Sequence, residues 1–241
     1  QTTVLVDCGL TPKLLRARLN AVGLELPDID ALLITHAHAD HVVGALRLGG
    51  AMRLRSYATK ATQRQLSRRG GLVHFTPVEP GVPFVVGALT VTAVAVPHDA
   101  PGTVAYIIEH DGERFGVCTD MGYPDPRVAR ALGGCDTLHL EFNHDGNMLW
   151  DGPYPPRLKN RVAGDGGHLS NLQAADLLSK AARPAIIAGK DSQGRVINGR
   201  AGTAARVLVG AADREVRLTR EDLHRRVVHG LEARAAEAVH R

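Results

Sequence analysis

The sequence predicts an α+β fold, and three observations carry that reading. Short apolar runs of strand length recur along the chain, among them Thr3–Val6, Ala31–Ile34, Thr137–Leu140 and Ala185–Gly189. Between them lie helical stripes with start signals, such as Thr11-Pro12 ahead of Leu14, Leu15, Leu19 and Val22. The strands also stop repeatedly at an acid or a histidine, and functional residues cluster where strands give way to loops.

The first strand, Thr3–Val6, ends in Asp7-Cys8-Gly9 and leads into the helix capped by Thr11. The second, Ala31–Ile34, runs into Thr35-His36-Ala37-His38-Ala39-Asp40-His41, and an apolar segment from Val42 to Leu48 starts a helix. Residues 53–69 contain no acid but hold Arg53, Arg55, Lys60, Arg64, Arg68 and Arg69, which is either a solvated helix face or a phosphate-contacting one. Phe84 to Val96 reads as two strands around Gly87, ending at Pro97-His98-Asp99. Thr103–Ile108 and Arg114–Thr119 form a hairpin across Asp111-Gly112, a dipeptide suited to a type I′ turn, and the second strand stops at Asp120. A helix over Pro126–Leu132 and the strand Thr137–Leu140 deliver Glu141-Phe142-Asn143-His144-Asp145. A long loop carries Trp150, Tyr154, Arg157, Lys159 and Arg161 up to His168, and loops of that length in compact domains are usually functional. Ser170 caps a helix from Leu172 to Ala181. Beyond Ala185–Gly189 the tail reads as strands at Arg206–Gly210 and Glu215–Thr219 and a helix from Arg220, with no functional reading.

The chain of 241 residues is 44% hydrophobic, enough for one core and a single domain over 1–241, although two domains are also compatible with that length. No apolar run reaches membrane-spanning length and no signal peptide is visible, so a cytoplasmic protein without membrane partners is expected. The three cysteines are an odd number without CxxC spacing and read as reduced core thiols. The chain opens at Gln1 without an initiator methionine, which suggests that a few N-terminal residues are lacking. The formal net charge of +4 leans towards a polyanionic partner.

The HxHxDH stretch carries the chemistry. Imidazole and carboxylate ligands suit zinc, manganese or iron. In extended backbone His36 and His38 point the same way and can grip one ion, while Asp40 and His41, past the turn, can face a second.

THAHADH resembles the signature of the metallo-β-lactamase superfamily, which implies a four-layer αββα sandwich with a dinuclear metal site at one end of its sheets. The resemblance implies His36, His38 and His98 on one metal, Asp40 and His41 on the other, and Asp120 bridging, with Asp7 orienting the HxHxDH loop. EFNHDGNML, YPPRLKNRV and GHLSNLQAADLL narrow it, over roughly residues 1–190, to the WalJ/YycJ/VicX group of exonucleases, leaving 191–241 unassigned. A parallel with ribonuclease Z makes Glu141 and His168 a proton relay. The family pattern also expects a final histidine ligand after the strand at 185–189, but Lys190 stands there, so the second metal site is expected to be depleted, with His144 as an alternative ligand.

The expected activity is a metal-dependent phosphodiester hydrolase, a 5′-exonuclease on DNA or on RNA, using two divalent ions (Mn or Zn) and a metal-bound hydroxide. Asp120, His168, Glu141 and Asp40 are its expected catalytic residues. Arg64, Arg68, Arg157, Lys159 and Arg161 are expected to hold phosphates, with Trp150 or Tyr154 stacking a base. The rivals are a thioesterase or small phosphodiesterase on the same fold and a degenerate, non-catalytic binding protein.

Overall fold

The computed structural model describes residues 2–48, 54–69 and 75–181, and the backbone of 186–190, 196–197 and 205–209. Arg53, the 215–219 strand and the helix from Arg220 lie outside the described residues. Among those described, five strands form one sheet and seven form a second.

In the first sheet β1 (Thr2–Val6), β2 (Ala31–Leu33), β3 (Arg55–Thr59) and β4 (Phe75–Val78) pair in that order, all parallel. The backbone of 205–209 pairs in parallel with the free side of β1, so a strand expected in the unassigned tail belongs to this sheet. Parallel strands need crossovers, and α1 (Pro12–Ala21), α2 (Ala39–Leu48) and α3 (Lys60–Ser67) supply them. The side-chain period of two decides which face each residue takes. Leu5, Leu32 and Ala58 join Leu15, Leu19, Val42, Ala45 and Leu66 of those helices in one apolar core. Their neighbours Val4, Val6, Ala31, Leu33 and Tyr57 face the other way.

The second sheet begins with β5 (Pro83–Val86), β6 (Leu89–Ala95), β7 (Val104–His110) and β8 (Glu113–Cys118), an antiparallel meander. Asp111 and Gly112 both have positive φ, 49° and 81°, as the type I′ hairpin between β7 and β8 requires. Parallel to β8 lies β9 (Thr137–Leu140), followed by the 186–190 strand. Val91, Ala93, Val104, Tyr106, Ile108 and Val117 meet the inner face of the first sheet in the central core. On the outer face Ala105, Ile107, Cys118 and Leu138 pack under α4 (Pro126–Leu132) and α7 (Asn171–Lys180), through Val128, Leu132, Ala174 and Leu177. Three cores separate four layers, helices on each outside and two sheets between, which is the αββα sandwich.

One expectation is corrected. The stretch after Glu141 is not a long loop: it holds two short helices, α5 (Gly146–Asp151) and α6 (Pro156–Ala163). Asp145 caps α5 by accepting from the Met148 amide, and Pro156 begins α6, where a missing N–H costs nothing. All three cysteines are buried and free. Among the described residues, no helix is long and apolar enough to cross a membrane.

Candidate metal centre

Topology gathers the site at one end of both sheets. Asp7 and the HxHxDH stretch follow the C-terminal ends of the parallel strands β1 and β2. Because β6 and β8 both run antiparallel to β7, and β9 runs parallel to β8, His98, Asp120 and Glu141 leave the second sheet at a single edge. Tyr106 ties the two edges together, its buried hydroxyl donating to the Ile34 carbonyl at 2.9 Å.

The carboxylate of Asp7 is fully buried and organises the turn. It accepts from the Thr35 amide (2.8 Å), the Thr35 hydroxyl (2.7 Å) and His41 Nδ1 (2.8 Å). Since the Thr35 proton goes to Asp7, Thr35 Oγ1 is left to accept from His36 Nδ1, 2.9 Å away. His98 Nδ1 donates to the Gly167 carbonyl at 2.9 Å. His36 and His98 therefore carry their proton on Nδ1 and present a lone pair on Nε2, while His41, also protonated on Nδ1, turns its Nε2 to the site; these assignments follow from their partners. His38 is reversed: its Nε2 lies 3.1 Å from Asp99 Oδ1, and its Nδ1 lies 3.0 Å from His36 Nε2 and 3.2 Å from His98 Nε2. Three ring nitrogens thus converge closely enough for one cation to be shared among them. The donor set fits a divalent ion that accepts imidazole.

A second set sits beside it. His36, His41 and Asp120 also place a ligand atom each within 4.8 Å of one another, as do Asp120, Glu141 and His168. Among the described residues no hydrogen-bond donor reaches the buried Asp120 Oδ2, and His41 Nε2, 3.1 Å away, is close enough to pair but out of hydrogen-bond alignment. Asp40 lies at the margin, largely exposed, 3.7 Å from His41 Nε2.

Electrostatics divides the cluster. Burial lowers His36 to about 2 and also lowers His38 and His98, so all three are neutral, the form that ligates. Burial alone would lower His41 too, but the carboxylates of Asp120 and Asp7 outweigh it and raise it to about 9. Asp120 is held well below the usual carboxylate range, its burial overcome by His41 and His168. His168 Nδ1 lies 3.0 Å from Glu141 Oε2 and 3.2 Å from Asp120 Oδ1. Despite burial these carboxylates keep a proton on His168, while burial pushes Glu141 upward. Glu141 Oε1 is anchored by the amides of Met121 (2.6 Å) and Leu169 (3.2 Å).

Of the basic residues read from sequence, Arg64, Arg68 and Arg157 are exposed. Arg69 is engaged, donating to the Ala37 carbonyl within the HxHxDH turn at 2.7 Å. Lys159 donates to the Trp150 carbonyl, and Arg161 Nε to Asp99 at 2.7 Å. Trp150 and Tyr154 are exposed, as the stacking reading needs. Register brings Lys190 level with Glu141, since Ala188 pairs with His139; its side chain lies outside the described residues. Sequence reading missed Thr35 and Asp99. Both adjoin a candidate ligand in the chain, and that adjacency was the available signal.

Clustered imidazoles and carboxylates at the end of an αββα sandwich define a metallo-hydrolase centre of the metallo-β-lactamase fold. The family model described as "Beta-lactamase superfamily domain" matches residues 2–188, and the chain belongs to that superfamily. The exodeoxyribonuclease WalJ of Streptococcus pneumoniae serotype 2 is 33% identical over 180 residues, 73% of this chain and 67% of that protein. The exodeoxyribonuclease YycJ of Bacillus anthracis is 31% identical over 178 residues, 71% of this chain and 66% of that protein. The chain therefore spans about two thirds of the length of these relatives. Zinc-bound PqqB of Methylobacterium extorquens shares the fold with a TM-score of 0.53 at 21% identity, over 69% of this chain and 64% of that one.

Proposed function

We propose that the protein is a metal-dependent phosphodiesterase on nucleic acid, a 5′-exonuclease acting on DNA. The observation that carries this reading is the convergence of His36, His38 and His98 beside His41, Asp120 and the Glu141–His168 pair. Similarity to two exodeoxyribonucleases supports the substrate class.

His36, His38 and His98 would hold a first divalent ion, Zn or Mn, and Asp40, His41 and Asp120 a second, with Asp120 shared. Two such ions, when bound, neutralise charge gathering on the phosphoryl oxygens and activate water for in-line attack. The protein's own residues do the rest. Asp7 and Thr35 hold the imidazoles in ligating tautomers. His168, kept protonated by Glu141 and Asp120, would pass its proton to the leaving 3′-oxygen. Arg64 on α3 and Arg68 at its C-cap, with Arg157, Lys159 and Arg161 on α6, flank the same segment: Gln65 donates to the Pro101 carbonyl, and Arg161 to Asp99. They would bind successive backbone phosphates, and Trp150 and Tyr154 would stack bases.

End-labelled DNA tests the reading. Metal-loaded protein should release labelled mononucleotide from the 5′ end and lose that activity in chelator; release from the 3′ end, or no hydrolysis of DNA by loaded protein, would overturn it. Lys190 occupies the sequence position where the family pattern has the final histidine ligand, and an ammonium cannot coordinate, so a depleted second site is the favoured reading. Purified protein should then hold closer to one metal than two, and Lys190→His should raise metal content and activity together; two full equivalents in the unmodified protein would refute depletion.

A further inference from the structure

Asp99 stands between the candidate first metal site and α6. Its Oδ1 lies 3.1 Å from His38 Nε2 and 3.5 Å from His98 Nε2, while Oδ2 accepts from Arg161 Nε at 2.7 Å. Its amide donates to the Gly166 carbonyl at 2.8 Å, and a Cβ on Gly166 would come within 3.2 Å of Asp99 Cβ, so the backbone beneath the carboxylate is closely backed.

The four histidines of the cluster differ in how they are oriented. His36, His41 and His98 are pinned through Nδ1 by Thr35, Asp7 and the Gly167 carbonyl. His38 alone among them turns Nδ1 towards the other imidazoles, and Asp99 is what its Nε2 meets. A neutral imidazole carries one proton, so an acceptor at Nε2 draws it there and leaves the lone pair on Nδ1.

We propose that Asp99 is a positioning residue of the first metal site: its carboxylate, at ion-pair distance 3.1 Å from His38 Nε2, favours the imidazole proton on that nitrogen, which makes Nδ1 the ligating atom, and Arg161 holds the carboxylate in place. This rests on the reading of His36, His38 and His98 as metal donors. The bland alternative is an ion pair at the rim of the site, since the side chains of Asp99 and Arg161 are 31% and 51% exposed and such pairs contribute little. The two accounts differ in what His38 does. An exposed pair leaves its tautomer and the zinc affinity alone, whereas outer partners of metal-bound histidines typically change affinity about 10–100-fold. Arg161 is engaged through Nε, so its remaining N–H groups are those it can offer a phosphate.

The test uses the whole chain with zinc alone. Zinc affinity is measured by competition with a chromogenic chelator for the unmodified protein, Asp99→Ala, Asp99→Asn and Arg161→Ala, and long-range ¹H–¹⁵N spectra read the ring nitrogens of His38 in the metal-free protein. Asp99→Ala should weaken the tighter zinc site about 10–100-fold with an unchanged denaturation midpoint of the metal-free form. Asp99→Asn, which keeps an oxygen beside His38 Nε2 without the charge, should recover part of the loss, and Arg161→Ala should fall between the unmodified protein and Asp99→Ala. His38 should be protonated at Nε2 in the unmodified protein and mixed in Asp99→Ala. Zinc binding unchanged in Asp99→Ala, or an Nδ1 proton on His38 in the unmodified protein, overturns the proposal. If the unmodified protein binds no zinc, the reading of the metal donors fails instead, and the ring-nitrogen spectra still decide what Asp99 does.

Discussion

Asp7 adopts φ 58°, a left-handed conformation uncommon outside glycine, and its carboxylate is spent entirely on Thr35 and His41. Strain of that kind persists where the surroundings over-determine it. His41, between Asp7 and Asp120, carries a raised pKa of about 9, so below that pH it holds a second proton on Nε2. An ion bound through Nε2 must displace that proton. Apparent metal affinity should therefore rise with pH from about 6 to 9 and level off above, with proton release visible in titrations run in buffers of different ionisation enthalpy. A flat profile over that range would count against His41 as a ligand. His168 is distinguished by the opposite expectation. As a proton donor held by Glu141, its replacement in His168→Ala should lower turnover about 10²–10⁴-fold and leave metal content unchanged. Loss of one metal equivalent would make it a ligand.

At the level of elements, α2 must approach the loop after β1 closely for His41 to reach Asp7. Gly44 permits this: its amide donates to the Cys8 carbonyl at 2.9 Å, and a Cβ would lie 1.9 Å from the Leu10 carbonyl oxygen. That oxygen belongs to the backbone and cannot swing aside. Gly44→Ala should destabilise the protein by about 1–3 kcal/mol in denaturant unfolding and loosen the His41–Asp7 contact. A variant as stable as the parent would show that α2 can shift without cost. The α7 start is built to the same standard, with Ser170 and Gln173 in a reciprocal capping box just after His168.

For the molecule as a whole, α3 and α6 both abut the 99–102 segment beside the cluster, through Gln65 and Arg161. If α3 contacts phosphates, Arg64→Glu with Arg68→Glu should weaken DNA binding and flatten its salt dependence by about one unit of slope per lost contact. An unchanged slope would return these exposed arginines to an ordinary solvated face.

Local signals were enough for what depends on near neighbours. The hairpin at Asp111-Gly112, the capped helices after Thr11 and Ser170, and the donors packed into HxHxDH were all legible, because turn chemistry, caps and side-chain period act over a few residues. The helices at 146–163 were not, since Pro and Gly around them read as loop while Asp145 and Pro156 were serving as helix starts. Which donors meet was decided by tertiary structure. His38 and His98 lie 60 residues apart, and Asp99 and Arg161 lie 62 apart. They touch because two sheets packed face to face bring their strand ends to one edge, and no periodicity along a single strand or helix encodes a contact made across that packing.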